Sequence, residues 1–126
     1  MKRPIFYIQE NNAKFHVKMH DQNDLLLLVS KSFETYRECE KFVDILRVHM
    51  RFQTNFSRRK NIAGQYGFEI RTCWDDLIAT SAWFNSRQDR EDAMQAAFDA
   101  NTDAVFVHKT MRPVADLSMA SLQGVA

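Results

Sequence analysis

One segment of this chain occurs twice, and that repetition limits the possible folds more than any other feature. The stretch LLVSKSFETYRECEKFV, residues 27–43, returns 51 residues later as IATSAWFNSRQDREDAM, residues 78–94. The same offset sets Phe15 against Tyr66, Val17 against Phe68, Met19 against Ile70 and Ser30 against Ser81. It continues without a gap through Phe33/Phe84, Thr35/Ser86, Val43/Met94 and Leu46/Ala97. Upstream, the second copy has one more loop residue, so Phe6 matches Phe56. Self-similarity at a fixed period marks units that cannot bury their apolar faces alone.

Each copy carries the same local code. A first strand (IFYIQEN; NFSRRK) turns into a second with alternating hydrophobicity. Phe15, Val17 and Met19 share one face, as do Tyr66, Phe68 and Ile70, while His16, Lys18, His20, Glu69 and Arg71 point the other way. Polar turns then lead to third strands in LLLLVSK and LIATSA. Thr35 with Glu38, and Ser86 with Asp89, have the spacing of a helix N-cap hydroxyl answered by an acid three residues on. The runs that follow place Cys39, Phe42, Val43, Leu46 and Met50 on one stripe, and Ala93, Met94, Ala97 and Phe98 on the other. The pattern predicts two tandem βββα repeats, 1–51 and 52–110, forming one α+β domain of antiparallel sheets packed with two helices. A final strand over 104–110 follows, and then a tail, 111–126, in which a short helix after Pro113 would show Val114, Leu117 and Leu122 on one side.

Composition supports a packed, soluble domain. The 126 residues include ten phenylalanines, a net charge of +1 and only three glycines and two prolines. Two cysteines without CxxC spacing read as reduced thiols of a cytoplasmic protein. The N-terminal segment lacks the apolar run of a signal peptide, and the longest apolar run is too short to span a bilayer.

With these residues in view, the chain resembles the DUF1508, or YegP-like, family. Phe56, Gly64, Tyr66, Phe68, Ile70 and the segment 78–84 fit its unit without a gap. The first copy fits through Phe6, Ile8, Phe15, Val17, Met19 and 27–33, but lacks the hairpin glycine. The resemblance implies a small α+β fold in which an antiparallel sheet packs against helices, single-unit members pairing as dimers. It implies no established enzymatic activity, and no catalytic residue can be carried over from it. The departures fall at turns. Asn23-Asp24 and Trp74-Asp75 stand where the family has Asn-Gly, and Ser32 and Trp83 where it has a glycine before the aromatic.

No nucleophile elbow, zinc-protease helix, Walker loop or dinucleotide fingerprint occurs, so no catalytic residue and no cofactor are assigned. His16 and His20 share a strand face but stand about 13 Å apart, too far to share one metal. Cys39, on the apolar helix stripe, reads as a buried small hydrophobe.

Two surfaces remain as candidates. The run Leu25–Val29 is apolar on both strand faces, where a half-wet strand should alternate. It is expected to be covered by the C-terminal tail or by self-association, ahead of a foreign partner. Leu26, Leu28, Trp74 and Trp83 are the candidate protein interface, for a partner or a homodimer. The alternative is nucleic-acid binding through Arg47, Arg51, Arg58, Arg59 and Lys60, five cations within fourteen residues that hold no acid. The leading expectation is a non-enzymatic interaction module with no membrane segment and no metal.

Overall fold

The computed structural model describes residues 2–108, so the expected tail 111–126 lies outside the described residues. The elements run β1 (Ile5–Asn11), β2 (Lys14–His20), β3 (Leu26–Ser30), α1 (Tyr36–His49), a 3-10 turn (Gln53–Asn55), β4 (Phe56–Lys60), β5 (Tyr66–Arg71), β6 (Leu77–Thr80), α2 (Arg87–Ala100) and β7 (Val105–Val107). All seven strands form one sheet in the order β4-β5-β6-β3-β2-β1-β7. The expected plural sheets are thus a single one, closed at its centre by antiparallel pairing of Val29 with Thr80 and Ser30 with Ala79.

Strand alternation builds the core. Phe6, Ile8, Val17, Met19, Phe56, Phe68 and Ile70 are buried beneath the two helices. Against them lie Cys39, Phe42, Val43 and Leu46 from α1, and Ala93 and Ala97 from α2. The opposite sheet face carries Tyr7, His16, Lys18, His20 and Arg71, all partly exposed.

Contacts in the two halves match at the 51-residue offset. Phe15 bridges Phe33, as Tyr66 bridges Phe84. The Ser30 hydroxyl accepts from the Val17 amide and donates to the Lys31 carbonyl; the Ser81 hydroxyl does the same with Phe68 and Ala82. Thr35 and Ser86 cap their helices through the Glu38 and Asp89 amides. Only the first cap is a reciprocal box, because the Glu38 carboxylate reaches back to the Thr35 amide.

The turn departures also resolve. Asp24 and Asp75 sit at φ 66° and 67°, in the left-handed region where the resembling family has glycine. Aspartate tolerates this region better than most side chains. Asp21 and Thr72 brace these turns by accepting the amides of Asn23 and Leu25, and of Trp74 and Asp76. The β4–β5 hairpin uses Gly64 at φ 82°, whereas the β1–β2 hairpin places Asn12 and Ala13 at 56° and 64°.

Two expectations change. The final strand is short, 105–107 within the predicted 104–110, and it pairs parallel with β1 at the sheet edge. Parallel partners need a long crossover, and here everything from β2 to α2 lies between β1 and β7. The two-faced apolar run in β3 is explained by a register shift opposite His20, which inserts an extra residue into the strand. Leu27 and Leu28 are both buried in the core as a result, while Leu25, Leu26 and Val29 retain exposure.

Candidate functional site

The outer edge of β4 borders a groove of about 310 Å³ against α2. Phe56 forms its floor, Met94 and Phe98 its helical wall, and Gln53 and Gln95 its polar rim. Phe56 and Phe98 meet edge to face, with ring centroids 6.1 Å apart. Arg58 and Glu91 close one end through a two-pronged ion pair of 2.8 and 2.7 Å. The hydrogen bond from Arg58, reinforced by Arg90, holds the Glu91 carboxyl down at about 2 despite some burial. That group is an anion throughout the physiological range and is not poised to shuttle protons.

Arg90 escaped the sequence reading. It occupies the buried α2 position that matches Cys39, yet is only 7 % exposed. Its guanidinium donates to Glu91 at 3.0 Å and lies 5.3 Å from the Tyr66 ring centroid. Lys60 and Arg87 approach the same ring at 5.3 and 5.8 Å. The only sequence signal was an arginine on an otherwise apolar stripe.

Of the four interface candidates, Leu28 is 1 % exposed and belongs to the core. It is unavailable to a partner, for the reason given by the β3 bulge. Leu26 is half-exposed at the start of β3. Trp74 stands almost fully in solvent in the β5–β6 turn, which uses only its backbone amide. Trp83 follows β6 at the strand's other end, so the two indoles do not form one patch.

Trp83 has a structural task. A Cβ added to Gly67 would come within 3.0 Å of Trp83 Cε3 and 3.1 Å of Cζ3. The indole therefore packs directly against the bare backbone of Gly67, on the sheet face away from the helices. In the first half the matching residues are His16 and Ser32: a strand residue with its own side chain, and a small neighbour. Beside Trp83 a pocket of about 190 Å³ also contains Arg59 and Glu69. Glu69, nearly buried, pairs with Arg71 at 2.9 Å and Arg59 at 3.5 Å.

The five cations proposed for nucleic acid do not converge. Arg47 donates to the Asn101 carbonyl at 3.0 Å and lies over the Phe6 ring, between the helix ends. Arg58 and Lys60 point toward α2, bound up with Glu91 and Tyr66, while Arg59 faces the other side of the sheet. Arg51 is exposed after α1.

Tyr7 Oη lies 3.1 Å from His20 Nε2, and burial lowers the affinity of that ring for a proton. Cys39 is fully buried, which pushes its thiol up to about 11, whereas Cys73 is exposed; both are free. Among the described residues no group of three histidine, cysteine or carboxylate side chains is placed to hold a metal ion. No helix of these residues is long and apolar enough to cross a membrane.

No family model and no curated protein matches the chain. Two solved structures do. One is yegP from E. coli, described as a protein of unknown function, with a TM-score of 0.75 and 14 % identity over 86 % of this chain and 95 % of that one. The other is a UPF0339 protein from Shewanella oneidensis, with a TM-score of 0.72 and 10 % identity over 83 % and 92 % of the two chains. The likeness spans nearly the whole of both relatives, and the chain shares the α+β fold of the YegP-like proteins.

Proposed function

We propose that this protein is a non-enzymatic binding module, built from two tandem copies of one βββα unit, that acts by docking another polypeptide. The observation that carries the reading is the outer edge of β4, which no strand among the described residues pairs, beside the apolar groove of Phe56, Met94 and Phe98. An open edge supplies a row of backbone donors and acceptors, and an adjacent pocket supplies a place for a side-chain anchor. The ionisable groups at the groove, Arg58 and Glu91, are engaged with each other, which favours binding over turnover. The free cysteines support a reducing compartment, the cytoplasm.

The nucleic-acid reading loses ground because Arg47 and Arg58 are tied within the molecule and Arg59 faces away from Arg58 and Lys60. A salt titration with single- and double-stranded oligonucleotides separates the two readings. Tight binding at low salt that weakens steeply as salt rises would reverse the preference. The docking reading is tested by photocrosslinking from Gln95, on the groove rim, in the native cell. Adducts with one defined polypeptide, lost when Met94→Lys fills the groove, are expected. No groove-dependent adduct would overturn it.

A further inference from the structure

The protein contains its own template for what the β4 edge accepts. On the β1 edge, β7 adds in parallel with Phe106 opposite Phe6, and the Val105 amide donates to the Pro4 carbonyl. Phe106 packs against the core, and His108 at the end of the strand reaches Glu40 of α1 at 3.6 Å. The groove beside β4 is built from the matching residues. Phe56 stands for Phe6, Thr54 for Pro4, Glu91 for Glu40 and Met94 for Val43.

Burial records that no described strand covers this edge. Pro4 and Ile8 are buried where β7 lies beside them, while their counterparts Thr54 and Arg58 are exposed. Phe6 is fully covered and Phe56 is not. The β4 groove is thus the unfilled counterpart of the slot that holds Phe106. Its helical wall is the more apolar of the two, because Phe98 stands where the first half has Arg47, while its strand side carries Thr54 and Arg58 for Pro4 and Ile8.

The occupant can be read from these contacts. Register copied from β7 sets an aromatic residue opposite Phe56. The residues two and four positions later then face Arg58 and Lys60, on the same side of the strand as Phe56. In the first half the corresponding position is the apolar Ile8; here it is a cation. Arg58 is already paired with Glu91 and Arg59 faces the other side of the sheet, so Lys60 is the exposed cation that this face offers a carboxylate. A second copy joined β4 to β4 would set these cations against themselves. A second copy offering β7 would leave its own sheet unpaired, or build an open-ended filament.

We infer that the β4 edge binds an extended segment of a different protein by parallel strand addition, with an aromatic residue in the Phe56–Met94–Phe98 groove and an acidic residue four positions later against Lys60. This rests on the docking function above and names its ligand.

The probe is a fluorescent peptide containing Val-Phe-Thr-Glu-Thr-Glu, titrated against the full-length chain by fluorescence anisotropy. Saturable binding is expected, with a dissociation constant of roughly 100 μM for so short a strand. Phe→Ser in the peptide should weaken it more than about tenfold. Lys60→Glu should weaken it about fivefold, and a peptide whose last Glu is Lys should recover the loss. No saturation up to about 1 mM, or binding indifferent to both the Phe and Lys60, would overturn the assignment.

Hydrogen exchange of the free chain tests the other occupants. Rapid exchange of the outward β4 amides is expected. Protection that grows with concentration would assign the edge to a second copy, and concentration-independent protection would assign it to the chain's own residues 109–126. Either outcome overturns the foreign strand. Groove-dependent adducts from Gln95 together with a failed peptide titration would overturn this ligand while leaving the docking function standing. Loss of both would remove the function as well.

Discussion

The pairing of Trp83 with Gly67 makes a quantitative prediction that needs both residues to be changed. Trp83 is 48 % exposed, so about half its side chain is covered. Half of a tryptophan surface of roughly 250 Å², at about 25 cal/mol per Å², gives an upper bound near 3 kcal/mol for that cover. A compact unfolded chain reduces it to about 2 kcal/mol, the expected cost of Trp83→Ser. Gly67→His meets the opposite problem, because its Cβ would stand 3.0 Å from the indole and 3.2 Å from Ser81 Oγ. Overpacking of this kind costs about 1–3 kcal/mol, offset in part by the removal of a glycine from a strand, for a net of about 1 kcal/mol.

The double variant recreates the His16/Ser32 pair of the first half and should cost no more than about 1 kcal/mol, giving a favourable coupling near 2 kcal/mol. Urea unfolding followed by far-UV circular dichroism measures all four corners, and equal m-values would show that the unfolded states are comparable. Additivity within about 0.5 kcal/mol would refute the reasoning. Trp83 would then have to be explained by a partner rather than by the bare backbone of Gly67.

Three further outcomes are expected. Ala13 sits at φ 64° in the two-residue β1–β2 turn, so Ala13→Gly should raise stability by about 0.5–1 kcal/mol in the same urea assay. Glu91 has a depressed folded pKa, so its stabilisation is complete above the ordinary value near 4.5 and is lost as pH falls toward about 2. Because Arg58 is more than half exposed, the wild-type advantage over Glu91→Gln should be only about 1 kcal/mol at pH 6 and should vanish in acid, read from urea midpoints at both pH values. With Cys39 buried and its thiol pushed up to about 11, mass spectrometry after iodoacetamide treatment at pH 8 should find one label, on Cys73, until the protein is unfolded.

How much of this was legible in the sequence follows from how local each feature is. Strand alternation in Phe15–Val17–Met19 and the Thr35 and Ser86 caps depend on neighbours a few residues away, so pattern alone located them. The burial of both Leu27 and Leu28 depends on a bulge opposite His20, which the sequence showed only as broken alternation, a pattern that a strand covered on both faces also gives. Trp83 could be flagged as anomalous but not explained, because its partner Gly67 lies sixteen residues away on another strand. Strand alternation alone separates Arg58 and Lys60 from Arg59, whereas the ties of Arg47 to Asn101 and of Arg58 to Glu91 join residues more than thirty positions apart and left no mark in the sequence. The groove escaped notice for the same reason. It becomes visible only when β7 is found on one edge of the sheet and no described strand stands on the other.

The most direct test of the central claim is the contact made by the aromatic residue of the bound peptide. With the full-length chain carrying labelled methionine methyls, the account predicts intermolecular nuclear Overhauser effects from the peptide's Phe ring to the Met94 methyl, together with new protection of outward β4 amides. Contacts from that ring to residues around Leu26 or Trp74 instead, with the Met94 methyl and the β4 amides unchanged, would contradict it.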